Sequence, residues 1–415
     1  MSKDAKNVPA LRFKGYSDAW EKRKFVQMLN NSDGLRRGPF GSALKKAFFV
    51  KESSFVVYEQ QNAIYDRFNT RYRISEKKFA ELHNFEVLPG DFLLSGAGTI
   101  GRIARVPKGI EQGVFNQALI RLRINESMTD SEFFLQFIRS DFMQKNLTET
   151  NPGSAIQNLV PMSELKNWTV RTPVVNEQRK IGSLLKKIDS LIAATQDKID
   201  AFEQIKKAFL QHLFDQSWRF GEYSELWTSH LLGEITSKVT EKNTENLYHE
   251  TFTNSAKYGI VEQQSFFDKL ISNEANLTNY YVVRENDFVY NPRISNLAPV
   301  GPVRRNKLNR TGVMSPLYYV FKATNAAYPM FLEYFFKGES WYRFMYLNGD
   351  TGARSDRFAI KDKVFEQMPV KLPEESEQKK IGALLQNLET VMNQTQERLQ
   401  KIRTIKDSLL KSLFV

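Results

Sequence analysis

Residues 177–214 read EQRKIGSLLKKIDSLIAATQDKIDAFEQIKKAFLQHLF, and residues 377–414 read EQKKIGALLQNLETVMNQTQERLQKIRTIKDSLLKSLF. The two segments align without a gap from the first residue to the last. A repeat of this length indicates that the whole architecture is duplicated. Duplicated units in one chain tend to be related by a two-fold axis, as the subunits of a homodimer are. We therefore expect a pseudo-two-fold internal repeat.

Both copies of the repeat carry the signals of a long helix. Asn176 and Ser376 are the predicted N-cap residues, and a proline stands shortly before each of them. Apolar residues then recur at alternating spacings of three and four over about five heptads, which predicts a coiled-coil seam. The residues expected at the helix-pair interface are Ile181, Leu185, Ile188, Ile192, Ile199, Ile381, Leu385, Leu388, Met392 and Leu399. The alternative is that each helix is amphipathic and packs only on its own domain.

The order of the segments predicts how the two helices run. A second globular region begins at Trp218, directly after the first helix, so the second helix has to run back. We therefore expect two long helices forming an antiparallel coiled coil, with one globular domain at each end. The expected boundaries are 1–175 for the first globular domain, 176–214 for the central helix, 215–372 for the second globular domain and 373–415 for the C-terminal helix.

The segments between the helices predict mixed globular domains of the α+β class. Short β-rich runs such as FVVYEQ and PLYYVFKA come first, and aromatic helical stretches follow them. The segments that flank the inserts are weakly similar in the two halves. The lead-in RF…YSDAW of the first half, for example, resembles RF…YSELW of the second. The inserts, about 25–170 and 230–370, diverge almost completely. Similar frames with different inserts fit a scaffold that carries two recognition modules of different specificity.

The charge of the chain favours a polyanionic partner. The net charge is +12, of which residues 1–214 carry +10, and residues 288–332 contain no acidic residue at all. The absence of cysteine excludes disulfides and thiolate metal sites. There is no apolar run of membrane-spanning length and no signal-peptide pattern, so we expect a cytoplasmic protein without membrane contact.

Motifs for catalysis are incomplete or missing. Residues 96–101, GAGTIG, have the spacing of a dinucleotide loop, but the strand-like RIARVP follows where such a loop needs a helix. A glycine-rich turn between strands is the favoured interpretation. The segment NPRI at 291–294 lacks the second proline and the aromatic residue of an adenine methyltransferase loop. With no Walker loop and no histidine pair at ligand spacing, we predict no catalytic residue and no metal site.

The basic residues favour nucleic-acid binding, because they cluster in loop-prone segments. Arg and Asn make bidentate contacts to guanine and adenine edges, whereas Lys mostly binds phosphate. The predicted DNA-binding residues of the first half are Arg36, Arg37, Lys45, Lys46, Arg71, Arg73, Arg102, Arg105, Arg121 and Arg123. Those of the second half are Asn291, Arg293, Asn296, Arg304, Arg305, Lys307 and Arg310. We expect one face of each insert to meet DNA.

Several motifs together resemble a known family. They are the paired EQxKIGxLL…LxxLF helices, the LRF…W lead-in, GPFGSALKK, GDFLLSGAGTIG, and NDFVYNPRISNLAPVGPV with GVMSPLYYVF. These motifs extend over nearly the full chain and resemble the specificity subunits of type I restriction–modification enzymes. The resemblance implies that the two globular domains are target recognition domains, each reading one half of a bipartite DNA site. It also implies that the helices form a spacer that sets the gap between the two half-sites.

The resemblance further implies partners and cofactors. The expected partners are double-stranded DNA, two methyltransferase (modification) subunits and two restriction/translocase subunits. S-adenosylmethionine, ATP and Mg²⁺ are expected on those partner subunits, and no cofactor is expected on this chain. Two other hypotheses remain open: a structural coiled-coil adaptor whose inserts bind proteins, and a self-contained modification enzyme.

Overall fold

A computed structural model describes residues 9–97, 99–148, 161–266, 274–351 and 356–414. The chain divides into two compact units, the first formed by residues 1–196 and 398–415 and the second by residues 197–397. Each long helix therefore begins in one unit and ends in the other. We name the parts outside the long helices the first module (up to residue 172) and the second module (215–372). Among the described helices, none is long and apolar enough to cross a membrane.

The first unit alternates short strands with short helices before its long helix begins. Its strands are β1 (Glu21–Lys24), β2 (Leu35–Arg37), β3 (Phe49–Val50), β4 (Phe55–Tyr58), β5 (Tyr72–Ile74), β6 (Phe92–Ser95), β7 (Ile103–Arg105), β8 (Gly113–Phe115), β9 (Leu119–Leu122) and β10 (Thr169–Thr172). Its helices are α1 (Gln60–Tyr65), α2 (Glu76–Glu81), α3 (Ser131–Arg139), α4 (Asp141–Thr148) and α5 (Met162–Asn167), and α6 (Val175–Phe214) starts here. Short 3-10 turns lie at Phe25–Met28, Lys46–Phe48 and His83–Phe85.

The second unit follows the same plan. Its strands are β11 (Thr228–Leu231), β12 (Thr236–Lys238), β13 (Phe252–Ser255), β14 (Gly259–Glu262), β15 (Tyr281–Val283), β16 (Phe288–Tyr290), β17 (Val303–Arg305), β18 (Gly312–Met314), β19 (Tyr319–Ala323), β20 (Asp350–Thr351), β21 (Phe358–Ala359) and β22 (Pro369–Leu372). Its helices are α7 (Leu232–Ile235), α8 (Gln263–Phe266), α9 (Pro329–Lys337), α10 (Tyr342–Asn348) and α11 (Asp362–Phe365), and α12 (Glu375–Leu413) starts here. A 3-10 turn lies at Glu274–Asn279.

The same sheet frame occurs in both modules. In the first module β2, β9, β6 and β7 form an antiparallel sheet in that order, and in the second module β12, β19, β16 and β17 form the equivalent sheet. Each module also has a two-stranded ribbon, β1 with β10 and β11 with β22, whose second strand leads into the long helix. The repeat found in the helices therefore extends to the frames of the modules.

The strands outside this frame differ between the modules. The first module adds a sheet in the order β3, β5, β4, β8, in which β4 and β8 are parallel. The second module has the hairpin of β13 and β14 and the pair of β15 and β18 instead. The α+β class, the similar frames and the different inserts expected from the sequence are confirmed.

A buried ion pair joins the start of each module to a long helix. The guanidinium of Arg12 donates to both carboxylate oxygens of Glu177, at 2.9 and 2.6 Å, and Arg219 does the same to Glu377, at 3.0 and 2.7 Å. The two glutamates are 0% and 1% exposed. Because a buried carboxylate is costly unless it is paired, the arginine of the RF lead-in and the glutamate of the repeated motif depend on each other.

The next residues of the repeated motif hold the aromatic helix of each module. Gln178 accepts a hydrogen bond from the backbone of Asp130 at 2.9 Å, just before α3, and Gln378 accepts one from Tyr328 at 2.7 Å, just before α9. Gly182 lies so close to α3 that a Cβ atom there would come within 2.6 Å of a backbone nitrogen. The start of each long helix is therefore a joint on which the module packs, and this explains why the motif is repeated.

The long helices run antiparallel within each unit. In the first unit Lys406 lies 2.6 Å from Asp189, and the start of α6 shares a hydrophobic core with the end of α12. In the second unit Lys206 lies 2.6 Å from Glu389, and the end of α6 shares a core with the start of α12. The expected antiparallel coiled coil is therefore present.

Each module core is built around an aromatic helix that meets the end of a long helix. The rings of Phe133 in α3 and Phe414 have centroids 5.7 Å apart, and those of Phe331 in α9 and Phe214 are 5.1 Å apart. The predicted seam residues that lie in these cores are Ile181, Leu185, Ile381 and Leu385. Among the other seam residues, Ile199, Met392 and Leu399 are buried and Ile188, Ile192 and Leu388 are half-buried. Both sequence hypotheses thus describe part of the structure, because the helices pair and their starts also pack on the modules.

Candidate nucleic-acid interface

Loops of the first module come together at one edge of its four-stranded sheet of β2, β9, β6 and β7. At this edge, which we name the first loop edge, β2 and β6 end and β9 begins. The loop after β2 packs on the turn before β9, because Gly38 donates its backbone N–H to Leu119 at 3.0 Å. The turn after β6 packs there too, with Gly96 donating to Ala118 at 2.7 Å. Three segments distant in sequence therefore form one surface.

The glycine-rich segment is a turn between two strands, as the sequence predicted. It connects β6 to β7, which pair in antiparallel fashion. Within the turn, the Ser95 hydroxyl accepts from the backbone of Arg102 at 2.9 Å. Gly98, near the centre of the turn, lies outside the described residues. A strand therefore follows these glycines, in the place where a dinucleotide loop requires the N-terminus of a helix.

Four predicted DNA-binding residues are exposed at the first loop edge. Arg37 ends β2, Lys45 and Lys46 close the loop after it, and Arg102 closes the turn between β6 and β7. Across the described part of the chain, none of these four side chains has an ion-pair or hydrogen-bond partner. Their charges are therefore available to phosphate groups, whose neutralisation supplies much of the affinity for DNA.

Four further predicted residues of the first module are tied to neighbouring carboxylates. The pairs are Arg36 with Asp33 at 2.8 Å, Arg71 with Glu59 at 3.6 Å, Arg73 with Glu111 at 2.7 Å and Arg105 with Glu132 at 3.1 Å. The four arginine side chains are partly or fully open to solvent. Because exposed ion pairs contribute little free energy, these arginines can exchange the carboxylate for a phosphate.

Arg121 differs from the other predicted residues, because the structure buries it. Its side chain is 2% exposed, pairs with Asp33 and donates to the Glu86 carbonyl at 2.6 Å. Burial lowers the pKa of the Arg121 guanidinium. Arg123 lies two residues further along β9 and donates to both carboxylate oxygens of Asp91, at 2.7 and 2.9 Å. Arg121 therefore lies in the interior of the module, which contradicts its prediction as a DNA-binding residue, and Arg123 pairs with Asp33 and Asp91 in the same network.

The second loop edge lies where β16 ends and β19 begins. The loop 291–302 leaves the sheet here and returns as β17. Arg293 in this loop forms an isolated antiparallel bridge with Arg357, which comes from a distant segment. A cavity of about 590 Å³ beside them is lined by Asn254 and Tyr318, among others. Guanidinium, amide and aromatic groups thus surround one concave site, and such groups form hydrogen bonds and stacking contacts with base edges and faces.

The predicted residues of the second module fall into two groups. Arg293 and Asn296 are exposed and have no side-chain partner in the described part of the chain. Asn291 is held in place, since its amide donates to the Asn254 carbonyl at 2.8 Å and its oxygen accepts from the Arg293 backbone at 3.0 Å. The first group therefore lies on the surface of the second loop edge, with Asn291 at its base.

The second group is bound within the module. Its contacts are Arg304 with the carbonyls of Val303 and Ala256 at 2.9 Å, Arg305 with Glu333 at 2.6 Å, Lys307 with Glu333 at 3.2 Å and Arg310 with Glu250 at 2.5 Å. Burial lowers the pKa of Arg304, and the hydrogen bond that Arg310 donates to the Glu250 carboxylate raises the pKa of Arg310. Residues 288–332 contain no acidic residue, but the fold places acidic side chains beside them, because Glu250 and Glu333 come from outside this stretch.

Two polar residues of the loop edges were missed by sequence reasoning. Arg357 is exposed, lines the 590 Å³ cavity and has no ion-pair partner in the described part of the chain. Gln117 lies against the loop after β2, where a Cβ atom on Gly41 would come within 2.8 Å of its amide oxygen. No local pattern marks either residue, because each reaches its loop edge through pairing of segments far apart in sequence.

Comparison with known proteins supports the resemblance found in the sequence. Residues 45–204 match the family model described as the type I restriction modification DNA specificity domain. A Methanocaldococcus jannaschii protein named as the type I restriction enzyme MjaX specificity subunit is 25% identical over 145 residues. This alignment covers 34% of the chain and 34% of that relative, so the chain matches about a third of the length of the curated relative.

Solved structures share the fold over nearly the whole chain. The S subunit of a type I restriction-modification system from M. genitalium superposes with a TM-score of 0.56 at 16% identity, covering 98% of this chain and 99% of that one. A chain from a structural study of type I R-M complex assembly and conformational transition gives a TM-score of 0.50 at 16% identity, covering 95% and 97%. The chain thus resembles the specificity subunits of type I restriction–modification enzymes, and its residues 45–204 match the DNA specificity domain of that family.

Proposed function

We propose that this chain is the DNA sequence-recognition subunit of a type I restriction–modification complex. Each module reads one half of a bipartite DNA site at its loop edge, and the paired long helices set the gap between the half-sites. The observation that carries the proposal is that one sheet frame occurs twice with different loops on the same edge. A repeated frame presents the two loop edges in the same way, while the different loops give each half-site its own sequence.

The distribution of charge supports DNA as the ligand. At the first loop edge Arg37, Lys45, Lys46 and Arg102 are exposed and unpaired within the described chain, and at the second loop edge Arg293 is exposed and unpaired as well. Lysine and arginine side chains without protein partners bind phosphates, and arginine and asparagine also read base edges. A protein-binding adaptor has no comparable need for unpaired cations next to amide side chains.

The chemistry of modification and cleavage belongs to partner subunits in this proposal. The chain itself is non-catalytic, and S-adenosylmethionine, ATP and Mg²⁺ act on two methyltransferase subunits and two restriction/translocase subunits. The glycine-rich turn between β6 and β7 supports this division, because a strand follows it where a nucleotide-binding loop would begin a helix.

Exposed apolar residues on the long helices support the docking of two identical methyltransferase subunits. Leu191 and its repeat Val391 are 42% and 41% exposed, and Ile205 and its repeat Ile405 are 42% and 55% exposed. In the first unit, Leu191 follows the ion-paired Asp189 by two residues and Ile405 precedes the ion-paired Lys406 by one. In the second unit, Val391 and Ile205 have the same spacing from Glu389 and Lys206. Equivalent apolar pairs fit one partner surface used twice.

Exchange of one module tests the proposal. Replacing residues 230–370 by the insert of another specificity subunit should change one half of the methylated sequence and leave the other half and the gap unchanged. Replacing residues 25–170 is the matched control and should change the other half. Single-molecule sequencing of methylated adenines in cells that also express the methyltransferase subunits measures both. If either exchange alters both halves, or if no methylation depends on the chain, the proposal is wrong.

The same assay addresses the docking surface. Leu191→Asp should reduce methylation by weakening one methyltransferase contact, and native mass spectrometry should show loss of one subunit from the complex. Leu226→Asp is the control, because Leu226 is 88% exposed but lies outside both long helices. An equal effect of the two substitutions would contradict the assignment of Leu191.

A further inference from the structure

Phe40 is an exposed aromatic residue on a tightly held loop at the first loop edge. Its side chain is 87% exposed, whereas the preceding Pro39 is buried. The backbone on both sides is fixed, because Ala43 donates to the Phe40 carbonyl at 2.8 Å and Gly38 is bonded to β9. At Gly38 the loop approaches so closely that a Cβ atom would lie 1.9 Å from the Asn116 carbonyl oxygen. The loop therefore holds its backbone in place and leaves one large apolar side chain in solvent.

Leu297 is an exposed apolar residue at the second loop edge, in the loop after β16, which is the counterpart of β6. Ser295 and Ala298 exchange two backbone hydrogen bonds, at 3.1 and 3.0 Å, so that Asn296 and Leu297 form a two-residue turn at the tip of the loop. Leu297 is 64% exposed and Ala298 is 2% exposed. The base of the loop is fixed by Ile294, which donates to the Asp356 carbonyl at 3.0 Å. This loop also exposes an apolar side chain on a fixed backbone.

The two side chains project from the same edge of the repeated frame. The loop of Phe40 follows β2 and that of Leu297 follows β16, and both strands end near the start of the central strand, beside Ile120 of β9 and Tyr319 of β19. Unpaired cations flank both, namely Arg37 and Lys45 in the first module and Arg293 in the second. Between residues 34 and 51 the sequence contains five cations and no acid. The chemistry around each tip is therefore suited to a polyanion with apolar surface between its charges.

We infer that Phe40 and Leu297 insert into the base stack of bound DNA, one at each half-site. This inference rests on the proposed function and adds to it a local unstacking of each half-site. Apolar side chains such as phenylalanine and leucine act as wedges that partially unstack a base step and kink the duplex, while nearby cations hold the flanking phosphates. A wedge needs a rigid support, because a mobile loop would fold its apolar side chain back onto the protein. The fixed loop backbones meet that requirement.

The test uses the full chain assembled with its methyltransferase subunits on duplexes that carry the mapped recognition sequence. In each duplex, 2-aminopurine replaces one base at successive positions of both half-sites, since its fluorescence rises when its neighbours unstack. We expect a rise at one step in each half-site with the unaltered complex. Phe40→Ala should abolish the rise in one half-site only, and Leu297→Ala should abolish it in the other. Phe40→Trp should keep the signal.

Binding measurements separate a wedge from a phosphate contact. Phe40→Ala should weaken specific binding about tenfold, as removal of a stacking aromatic does, without changing the slope of affinity against salt concentration. The combined Lys45→Ala and Lys46→Ala variant should instead reduce that slope by about 2, since each phosphate contact contributes roughly 0.9. Leu226→Ala is the control for loss of an exposed apolar side chain and should change neither quantity.

The possible outcomes are distinct. If the unaltered complex binds its site without any rise in fluorescence, or if Phe40→Ala and Leu297→Ala leave the rise in place, the wedge inference is overturned while the proposed function stands. If both loop variants bind DNA normally but lose a protein partner, these side chains are protein contacts and the inference is again overturned. If the complex shows no sequence-specific binding at all, the proposed function itself fails.

Discussion

Replacing Glu389 by Gln should remove a pH-dependent part of the stability of the second unit. Glu389 of α12 receives hydrogen bonds from Lys206 of α6 at 2.6 Å, from Lys337 of α9 at 2.9 Å and from the Tyr334 hydroxyl at 2.9 Å. One carboxylate thus connects the two long helices to the aromatic helix of the module. Its side chain is 18% exposed, so solvent screens these contacts only partly.

The magnitude follows from the pKa of this carboxyl group. Burial alone would raise it, but the charges of Lys337 and Lys206 outweigh burial and lower the pKa of Glu389 from 4.5 to about 2. The pKa of Glu389 is thus about 2.5 lower in the folded than in the unfolded protein, which corresponds to roughly 3 kcal/mol of unfolding free energy. Because the folded pKa is the lower one, this stabilisation is complete above pH 4.5 and is lost as the pH falls towards 2. About 1.4 kcal/mol of it should be gone at pH 3.5.

Urea unfolding of the unaltered chain and of Glu389→Gln, followed by tryptophan fluorescence, measures the effect. At pH 7 the variant should be less stable by up to about 3 kcal/mol, and the difference should shrink by about half at pH 3.5. Glu397→Gln is the matched control, because Glu397 lies on the same helix, is exposed and has no partner in the described part of the chain. A loss no larger than that of the control, or a difference independent of pH, would refute the reasoning.

Two further substitutions probe two other buried carboxylates, Glu177 and Asp287. Arg12→Met should destabilise the first unit by about 3–5 kcal/mol, because it leaves the Glu177 carboxylate buried without its partner; a loss below about 1 kcal/mol in urea unfolding would contradict this role. Burial raises the pKa of Asp287 from 3.8 to about 6, so ionisation of this carboxyl group is less favourable in the folded than in the unfolded protein and lowers the stability above about pH 4. Asp287→Asn should therefore stabilise the second unit at pH 7 by up to about 3 kcal/mol, and the gain should vanish as the pH falls from 6 to about 4. A gain that persists at pH 4 would point to a cause other than ionisation.

The parts of the fold that the sequence predicted are those encoded by local periodicity. The heptad-like spacing specified two long helices, and the strand-like residues after Gly101 excluded a helix there. The lead-in containing Arg12 was also recognised as part of the repeat, although its ion pair with Glu177 was not foreseen. Local patterns in the sequence predict which segments form helices and strands, but they do not predict which side chains of different elements contact each other.

The candidate site was harder to predict, because burial and ion pairing depend on distant segments. Arg37 and Arg121 look alike in the sequence, since both lie in basic, strand-like stretches. In the structure Arg37 is exposed at the end of β2, whereas Arg121 is buried in β9 beside Asp33. Arg357 reaches the second loop edge because its segment pairs with the loop after β16, through the bridge with Arg293 and the backbone hydrogen bonds of Asp356 and Phe358. A basic residue can therefore be assigned to a surface only when the partners that neutralise it are known.

The same distinction between paired and unpaired cations supports the proposal that one scaffold carries two specificities. The cations with buried partners, such as Arg12 and Arg219, lie at the joints between modules and helices, and their loss would leave a buried charge. The cations at the loop edges, such as Lys45 and Arg293, have no partners in the described chain, so replacing them leaves no protein group unsatisfied. Substitution at a joint therefore lowers the stability of the fold, whereas substitution at a loop edge leaves it almost unchanged. After duplication of such a unit, the joints remain alike while the loops diverge, which is the pattern that the two halves of this chain display.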